Sequence, residues 1–362
     1  MSTVAPRLTL EQARAAWPRV TGYLNAATLG VPPRTVVEAM TADLRHWAAG
    51  EVDAVRYDDD VARCRELFAD LVRVPSSWVA TGANTSVMVA LVASALPDRA
   101  EVVVPHGDFT SIVFPFLVQA DRGVRVRHVP LAGLAEAVTS STTLVAWSLA
   151  QSADGLVAVH GAVVEAARQH GAMTLCDLTQ AVGWMPCDAS LFDVAVCTAY
   201  KWLCHPRGAA YLTVRPDVAD RISPLQAGWY AGESRWDSCY GPDMQLAGDA
   251  RRFDVSPAWL SWVGAVPAME LFAGLDPEQA RTYDAGLADA LLERLGLAPQ
   301  GRAVVSLPDP SGALKAALTD KGATVAGRAG RVRIAFHLWN DEDDVELAAA
   351  ALTSTGLTAD LQ

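Results

Sequence analysis

The stretch Cys197-Thr-Ala-Tyr-Lys-Trp-Leu-Cys-His-Pro-Arg-Gly208 holds one lysine, Lys201, between two apolar runs at 192–196 and 209–214. Each run reads as a buried strand. An amine that leaves a buried strand into a tight loop is partly desolvated. That lowers its pKa and frees it as a nucleophile toward a carbonyl. A lysine by itself is ordinarily a surface side chain, but here an acid accompanies it. Leu175-Cys-Asp-Leu-Thr-Gln-Ala-Val-Gly183 reads as a strand ending at Asp177, followed by small and polar residues. The chain between Asp177 and Lys201 is long enough for a crossover between neighbouring strands. A carboxylate at one strand end and an amine at another are what pyridoxal phosphate requires, for its pyridine nitrogen and its aldehyde.

The chain that must position these groups has 362 residues, a formal net charge of −12 and 51% hydrophobic residues. Such a length supports a large core and suggests two domains. The acidic balance disfavours nucleic acid or an anionic membrane as partner. There is no charged and apolar leader and no long uncharged apolar run. Neither a signal peptide nor a membrane span is therefore expected, and the expected location is the cytoplasm. Cys64, Cys176, Cys187, Cys197, Cys204 and Cys239 show no CxxC pairing, and most sit beside strand-like residues. They read as reduced, buried thiols rather than disulfides or zinc ligands, and no metal site is expected.

Hydrophobic periodicity predicts helices over 8–17, 36–47, 59–71 and 157–170, and strands over 79–82, 101–104, 143–149 and 173–177. Ala83-Asn-Thr-Ser-Val87 opens a helix after the first strand. Small polar residues there are ordinary caps, and a helix N-terminus is also an anion site. A long helix is predicted over 258–272. After it the pattern becomes helix (277–295), strand (303–307), helix (312–321), strand (331–336) and a closing helix (345–352).

These motifs, in this order, are similar to the class V aminotransferase family of fold-type I pyridoxal-phosphate (PLP) enzymes. That family includes cysteine desulfurases, selenocysteine lyases, kynureninases, C–S lyases and isopenicillin N epimerase-like proteins. The similarity runs from Tyr23 to about Asp344. It implies an α/β fold: a large domain with a mainly parallel seven-stranded sheet and a smaller C-terminal α+β domain. The division it suggests is an N-terminal helical segment (1–20), a large PLP-binding domain (21–255), a connecting helix (256–275) and a small domain (276–362).

The resemblance also assigns roles. Lys201 holds PLP as an aldimine, and Asp177 keeps the pyridine nitrogen protonated. Phe109, in His106-Gly-Asp-Phe109, stacks over the ring and completes the expected catalytic set. It replaces the histidine of many desulfurases; a phenylalanine stacks but relays no proton, and the core remains its alternative place. Asn84, Thr85, Thr198 and Tyr200 are assigned to the phosphate. Gln180 is assigned to the phenolic oxygen, and Gln151, with Ser152 as runner-up, to that oxygen or the substrate. Ser256, in Arg252-Phe-Asp-Val-Ser-Pro257, corresponds to a residue that reaches the partner's phosphate, which implies a homodimer. Arg333 is the expected clamp for the substrate carboxylate, with Arg331 its local competitor. Asn25 and Thr28, in Tyr23-Leu-Asn-Ala-Ala-Thr-Leu-Gly30, are expected near the substrate. Trp229 and Tyr230 begin either an aromatic pocket wall or a packed aromatic loop. His106 is expected to be structural, and His205 to lie on a loop or near the pocket.

The implied substrate is an α-amino acid or its conjugate, reacting through a carbanion at Cα. The stretch from Ser306 to Arg333, where desulfurases carry a reactive cysteine, contains none. Persulfide-forming desulfuration is therefore disfavoured. β-Elimination of the C–S lyase type is the leading expectation. Amino transfer is the alternative, with epimerase-like or decarboxylating chemistry behind it. A non-catalytic binder fits poorly with a complete set of Lys201, Asp177 and Arg333.

Overall fold

A computed structural model describes residues 8–356. The ends of the expected N-terminal segment and small domain, 1–7 and 357–362, lie outside the described residues. Seven strands form the large sheet: β1 (Val79–Gly82), β2 (Glu101–Pro105), β3 (Arg125–Val129), β4 (Thr142–Ser148), β5 (Met173–Asp177), β6 (Val194–Thr198) and β7 (Ala210–Val214). Their order is β1-β7-β6-β5-β4-β2-β3. The pairs β2–β3, β2–β4, β4–β5 and β5–β6 are parallel. β7 is antiparallel to both its neighbours, β6 and β1. It follows that β1 to β6 all run the same way and their C-terminal ends lie along one edge.

Alternate residues of these strands feed two separate cores, as a period of two requires. Val145, Trp147, Ala195 and Cys197 join one cluster with Phe68, Phe192 and Tyr211. Leu144, Ala146, Val194 and Val196 join another with Val102, Val104 and Phe116. With both faces covered, the central strands are continuous apolar runs rather than alternating ones. β3 is the exception. It is an edge strand reading Arg-Val-Arg-His-Val, with Arg125 and His128 exposed, which discourages edge pairing.

The helix Trp259–Gly274 packs against the helices Arg34–Ala48 and Tyr57–Leu71 and leads to the small domain. There β8 (Val304–Pro308), β10 (Arg331–Ala335) and β9 (Ala326–Arg328) form an antiparallel sheet in the order β8-β10-β9. The helices Pro277–Arg294, Ala313–Asp320 and Glu342–Thr353 supply its core. The opening segment of the chain bridges the two domains. The helix expected over 8–17 is only Leu10–Arg14, capped by Thr9 and Gln12. Tyr23 and Asn25 then pair with Thr324 and Ala335, and Leu24 enters the small domain's core. Residues 23–25, expected to open the large domain, are thus attached to the small one. Among the described residues, no helix is long and apolar enough to cross a membrane.

One buried ion pair fixes the edge of the sheet. Arg65, on Tyr57–Leu71, donates to Asp254 Oδ2 at 2.6 Å and to the Val79 carbonyl. Asp254 Oδ1 accepts the Thr81 N–H at 2.7 Å. Both side chains are buried, so removing one strands the other charge. Asp254→Ala is expected to lose about 3–5 kcal/mol of stability, read as a lower midpoint of chemical denaturation. An unchanged midpoint would show that the pair contributes nothing.

Candidate active site

The site assembles where β1, β2, β4, β5 and β6 end, the position at which open α/β sheets bind ligands. β5 ends at Asp177 and β6 at Thr198, three residues before Lys201. Both charged groups are buried, and burial acts on them in opposite directions. It pushes Asp177 up to about 6, against hydrogen bonds from Thr179 and the charge of Lys201. It pulls Lys201 down to about 8, partly offset by Asp177 and reinforced by Arg333 and Arg328. Phe109 lies across from them, its ring centroid 5.1 Å from Lys201 Nζ. It is 41% exposed, so it borders an opening rather than filling the core.

A hydroxyl relay joins β5, β6 and the helix Thr85–Ala95. Thr179 N–H donates to Asp177 Oδ1 at 2.8 Å, and Thr198 N–H donates to Thr179 Oγ1 at 2.9 Å. Thr85 N–H donates to Thr198 Oγ1 at 3.0 Å, and the two hydroxyls are 2.6 Å apart. Asn84 caps the same helix, accepting from Val87 N–H at 3.2 Å. A helix N-terminus flanked by two hydroxyls suits a phosphate. Tyr200 borders Lys201 on one side, its ring 5.8 Å from Nζ, and carries Arg207 over it at 4.9 Å.

Opposite the strand ends stands Arg333 of β10, almost fully buried. It donates to Thr28 Oγ1 at 2.7 Å, to Ser152 Oγ at 3.2 Å and to the Ser152 carbonyl. Its Nε is buried without a partner, as is Asn25 Oδ1. Burial and nearby Arg328 pull its pKa down to about 10. Arg331, the competing arginine, is instead tied to Ser306 at 2.9 and 2.7 Å. The segment carrying Thr28 passes very close to the lysine loop. Gly30 N–H donates to the Tyr200 carbonyl at 2.9 Å, and a Cβ on Gly30 would lie 2.1 Å from the Lys201 carbonyl oxygen. Only glycine fits there.

Several expected residues engage protein partners. Gln180 uses its amide N–H groups on the Ala27 carbonyl (3.0 Å) and Ser152 Oγ (3.2 Å), and its oxygen accepts Trp202 Nε1–H at 2.8 Å. It is a strut between the opening segment and the lysine loop. Gln151 donates to Asp108 and to the Ser148 carbonyl, both at 3.1 Å, so Ser152, not Gln151, meets Arg333. Tyr230 is a correction: it is 1% exposed and donates to Asp58 at 2.8 Å, as a core side chain does. Trp229 packs on Tyr230 and Trp236 and lines a separate hollow with Gln245 and Leu246. Ser256 is exposed, two residues beyond Asp254. His205 is buried edge-on to Tyr211 at 6.0 Å, and burial pulls it down to about 3, so it is a neutral core group. His106 stacks on His128 at 6.1 Å.

Asp108 was not singled out by sequence, although it precedes Phe109 directly. Its carboxylate accepts Ser148 N–H (2.8 Å), Ser148 Oγ–H (2.5 Å), Gln151 (3.1 Å) and Phe109 N–H (2.7 Å). It fastens the loop that carries Phe109 to the end of β4. An acid beside an aromatic in a Gly-containing turn was the available signal.

Comparison with known proteins bears on the same residues. The family model described as aminotransferase class-V matches residues 23–317. An uncharacterized aminotransferase, YcbU, of Bacillus subtilis is 28% identical over 80% of this chain and 77% of its own. The isopenicillin N epimerase of Amycolatopsis lactamdurans is 27% identical over 92% of this chain and 95% of its own. In fold, the chain superposes on the cysteine desulfurase CsdA of Escherichia coli with a TM-score of 0.83 at 19% identity, covering 96% of this chain and 98% of the other. It superposes on the cystine C–S lyase C-DES with a TM-score of 0.82 at 21% identity, covering 92% and 97%. With the matched segment containing the lysine, its acid and the strand ends that carry them, the chain belongs to the aminotransferase class-V family and is an enzyme whose cofactor is pyridoxal phosphate.

Proposed function

We propose that the protein catalyses β-elimination from an α-amino acid or its cysteine conjugate, the C–S lyase type of reaction. The residues present fit the cofactor. Thr85, Thr198 and Asn84 surround a helix N-terminus suited to its phosphate, to which Tyr200 is also assigned by its motif, Asp177 suits its ring nitrogen, and Phe109 suits a ring face. When bound, the cofactor supplies a carbonyl for amine capture and an electron sink for a carbanion at Cα. The rest falls to the chain. Arg333 fixes the α-carboxylate, with Thr28 and Ser152 holding the guanidinium in place. Lys201, once freed, takes the Cα proton as a neutral amine, and its lowered pKa makes that form accessible near neutral pH. Asp177, with its pKa near 6, is mostly ionised at pH 7 and holds a positive charge opposite it. Ser256 is proposed to serve a partner's phosphate site in a homodimer, on the strength of its motif and its exposure.

The observation that favours elimination over persulfide formation is the disposition of the thiols. A persulfide-forming nucleophile must be accessible and readily ionised. Five of the six cysteines are buried. Burial raises Cys197 and Cys204, on either side of Lys201, well above the ordinary range. Cys239 is partly exposed, but on the Trp236–Cys239 turn, whose sulfur faces the Arg235 carbonyl at 3.9 Å. Elimination needs no protein thiol, because sulfur departs with its substituent. Lys201 alone suffices as the proton carrier, which agrees with an aromatic, non-titrating side chain at 109.

Three outcomes are expected. In the cofactor-free protein, acylation of Lys201 followed by peptide mass spectrometry rises with pH to a midpoint of about 8. Asp177→Asn moves that midpoint lower, since the carboxylate supports the ammonium form. A midpoint near the ordinary 10.5 would show the amine to be solvated. With PLP bound, cysteine S-conjugates release thiol, pyruvate and ammonia in equal amounts, and Lys201→Ala abolishes release. Stoichiometric conversion of the cofactor to its amine form, reversed by a keto acid, would replace elimination with amino transfer. Arg333→Ala raises KM by roughly a hundredfold, the loss of a charge-assisted pair. An unchanged KM would move the carboxylate site elsewhere.

A further inference from the structure

β9 and β10 are joined by a two-residue turn, Ala329-Gly330, in which both residues have positive φ, 47° and 72°. That is the signature of a type I′ hairpin, and it fixes the register rigidly. Arg331 lies directly opposite Arg328, and Arg333 opposite Ala326. Because faces alternate along a strand, Arg328, Arg331 and Arg333 share one face of the small sheet. The other face carries Val332 and Ile334 into the small domain's core. The arginine face is the one turned to Thr28 and Ser152.

Like charges placed directly across a sheet destabilise it. Arg331 bonds to Ser306, Arg333 to Thr28 and Ser152, and Arg328 to the Gly327 carbonyl at 2.7 Å and Thr28 Oγ1 at 3.4 Å. Among the described residues no carboxylate forms an ion pair with any of the three. Arg328 and Arg333 share one acceptor, Thr28 Oγ1, so their guanidinium groups converge on the same point. The charge of Arg328 is felt in the site, where it disfavours the protonated forms of Lys201 and Arg333. Arg328 remains exposed. One α-carboxylate balances Arg333 and leaves Arg328 without a counter-ion.

Resting on the proposed amino-acid chemistry, we infer that Arg328 is a specificity residue for a substrate with a second anionic group. The substrate class is an acidic amino acid, or a cysteine conjugate whose substituent ends in a carboxylate. The planar guanidinium suits a carboxylate, and its position at the end of a hairpin lets the side chain meet a group beyond Cα.

The test uses the PLP-loaded protein and two matched pairs of probes: S-carboxymethyl-L-cysteine against its carbamoylmethyl amide, and L-glutamate against L-glutamine. Dissociation constants come from titrating the cofactor's absorbance, and ligand-induced shifts in melting temperature give a second readout. The acid of each pair is expected to bind about tenfold tighter than the amide, with the ratio narrowing at high salt. In Arg328→Gln the ratio falls to about one, and in Arg328→Glu it inverts. Melting temperatures of the unliganded variants verify that they fold. Equal affinities in the unmodified protein, or a preference that survives Arg328→Gln, would overturn the role of Arg328 while leaving the amino-acid chemistry standing. If no probe alters absorbance or melting, both fail together.

Discussion

Taking an amine and a carboxylate out of water together sets the terms for the rest of this structure. Each ion loses solvation that the other only partly restores. The consequence is visible in their pKa values, with Asp177 raised and Lys201 lowered by the same burial. The surroundings are arranged to hold that compromise. Asp177 is stabilised as an anion by Thr179, which also accepts from the strand of Thr198. Lys201 is covered by the opening segment, which approaches so closely that residue 30 has no room for a side chain. The central parallel strands β4, β5 and β6 are mostly apolar on both faces, and Asp177 and Thr198 stand at the C-terminal ends of β5 and β6.

The small domain enters this arrangement as the carrier of one charge. Arg333 reaches across to Thr28 and Ser152, which come from two different parts of the large domain's rim. Gln180 links Ala27 to Ser152, and Trp202, next to Lys201, bonds Gln180 and stacks on His337 of the small domain at 5.5 Å. His337 in turn stacks on Trp339 at 4.2 Å and lies 5.8 Å from Trp17. Domain docking, lysine placement and the position of Arg333 are therefore joined by one network of contacts. A change in any of them is felt in the others.

Much of this was legible in the sequence because it rests on local rules. The strands ending at Gly82, Asp177 and Thr198 are apolar runs bounded by small or polar residues, and their ends fell within a residue or two of expectation. The short strands β3 and β9 were not foreseen. β3 breaks its alternation with the adjacent polar pair Arg127-His128, and β9 is three residues long, so neither carries a periodic signal. Side-chain destinations were harder still. Tyr230 reads as an aromatic wall until Asp58, 172 residues away, takes its hydroxyl. Gln180 and Gln151 are polar residues at the right strand ends, but long-range partners decided which atoms they engage. Asp108 escaped notice because its four hydrogen bonds involve only three residues, none more than 43 positions distant, in a pattern with no fixed spacing.

The same physics bears on what a substrate does when it arrives. Arg333 is buried, holds one unpartnered N–H, and has its pKa pulled down by desolvation and by Arg328. Its contacts are neutral oxygens, which orient a guanidinium but do not balance its charge. A carboxylate placed there supplies that balance and a bidentate partner at once. It also changes the field at Lys201, whose protonated form is disfavoured partly by the two arginines. Neutralising them favours the ammonium, and so links carboxylate binding to the proton affinity of the base. In the proposed reaction, a substrate carboxylate at Arg333 would raise the proton affinity of Lys201, the group proposed to take the proton from Cα.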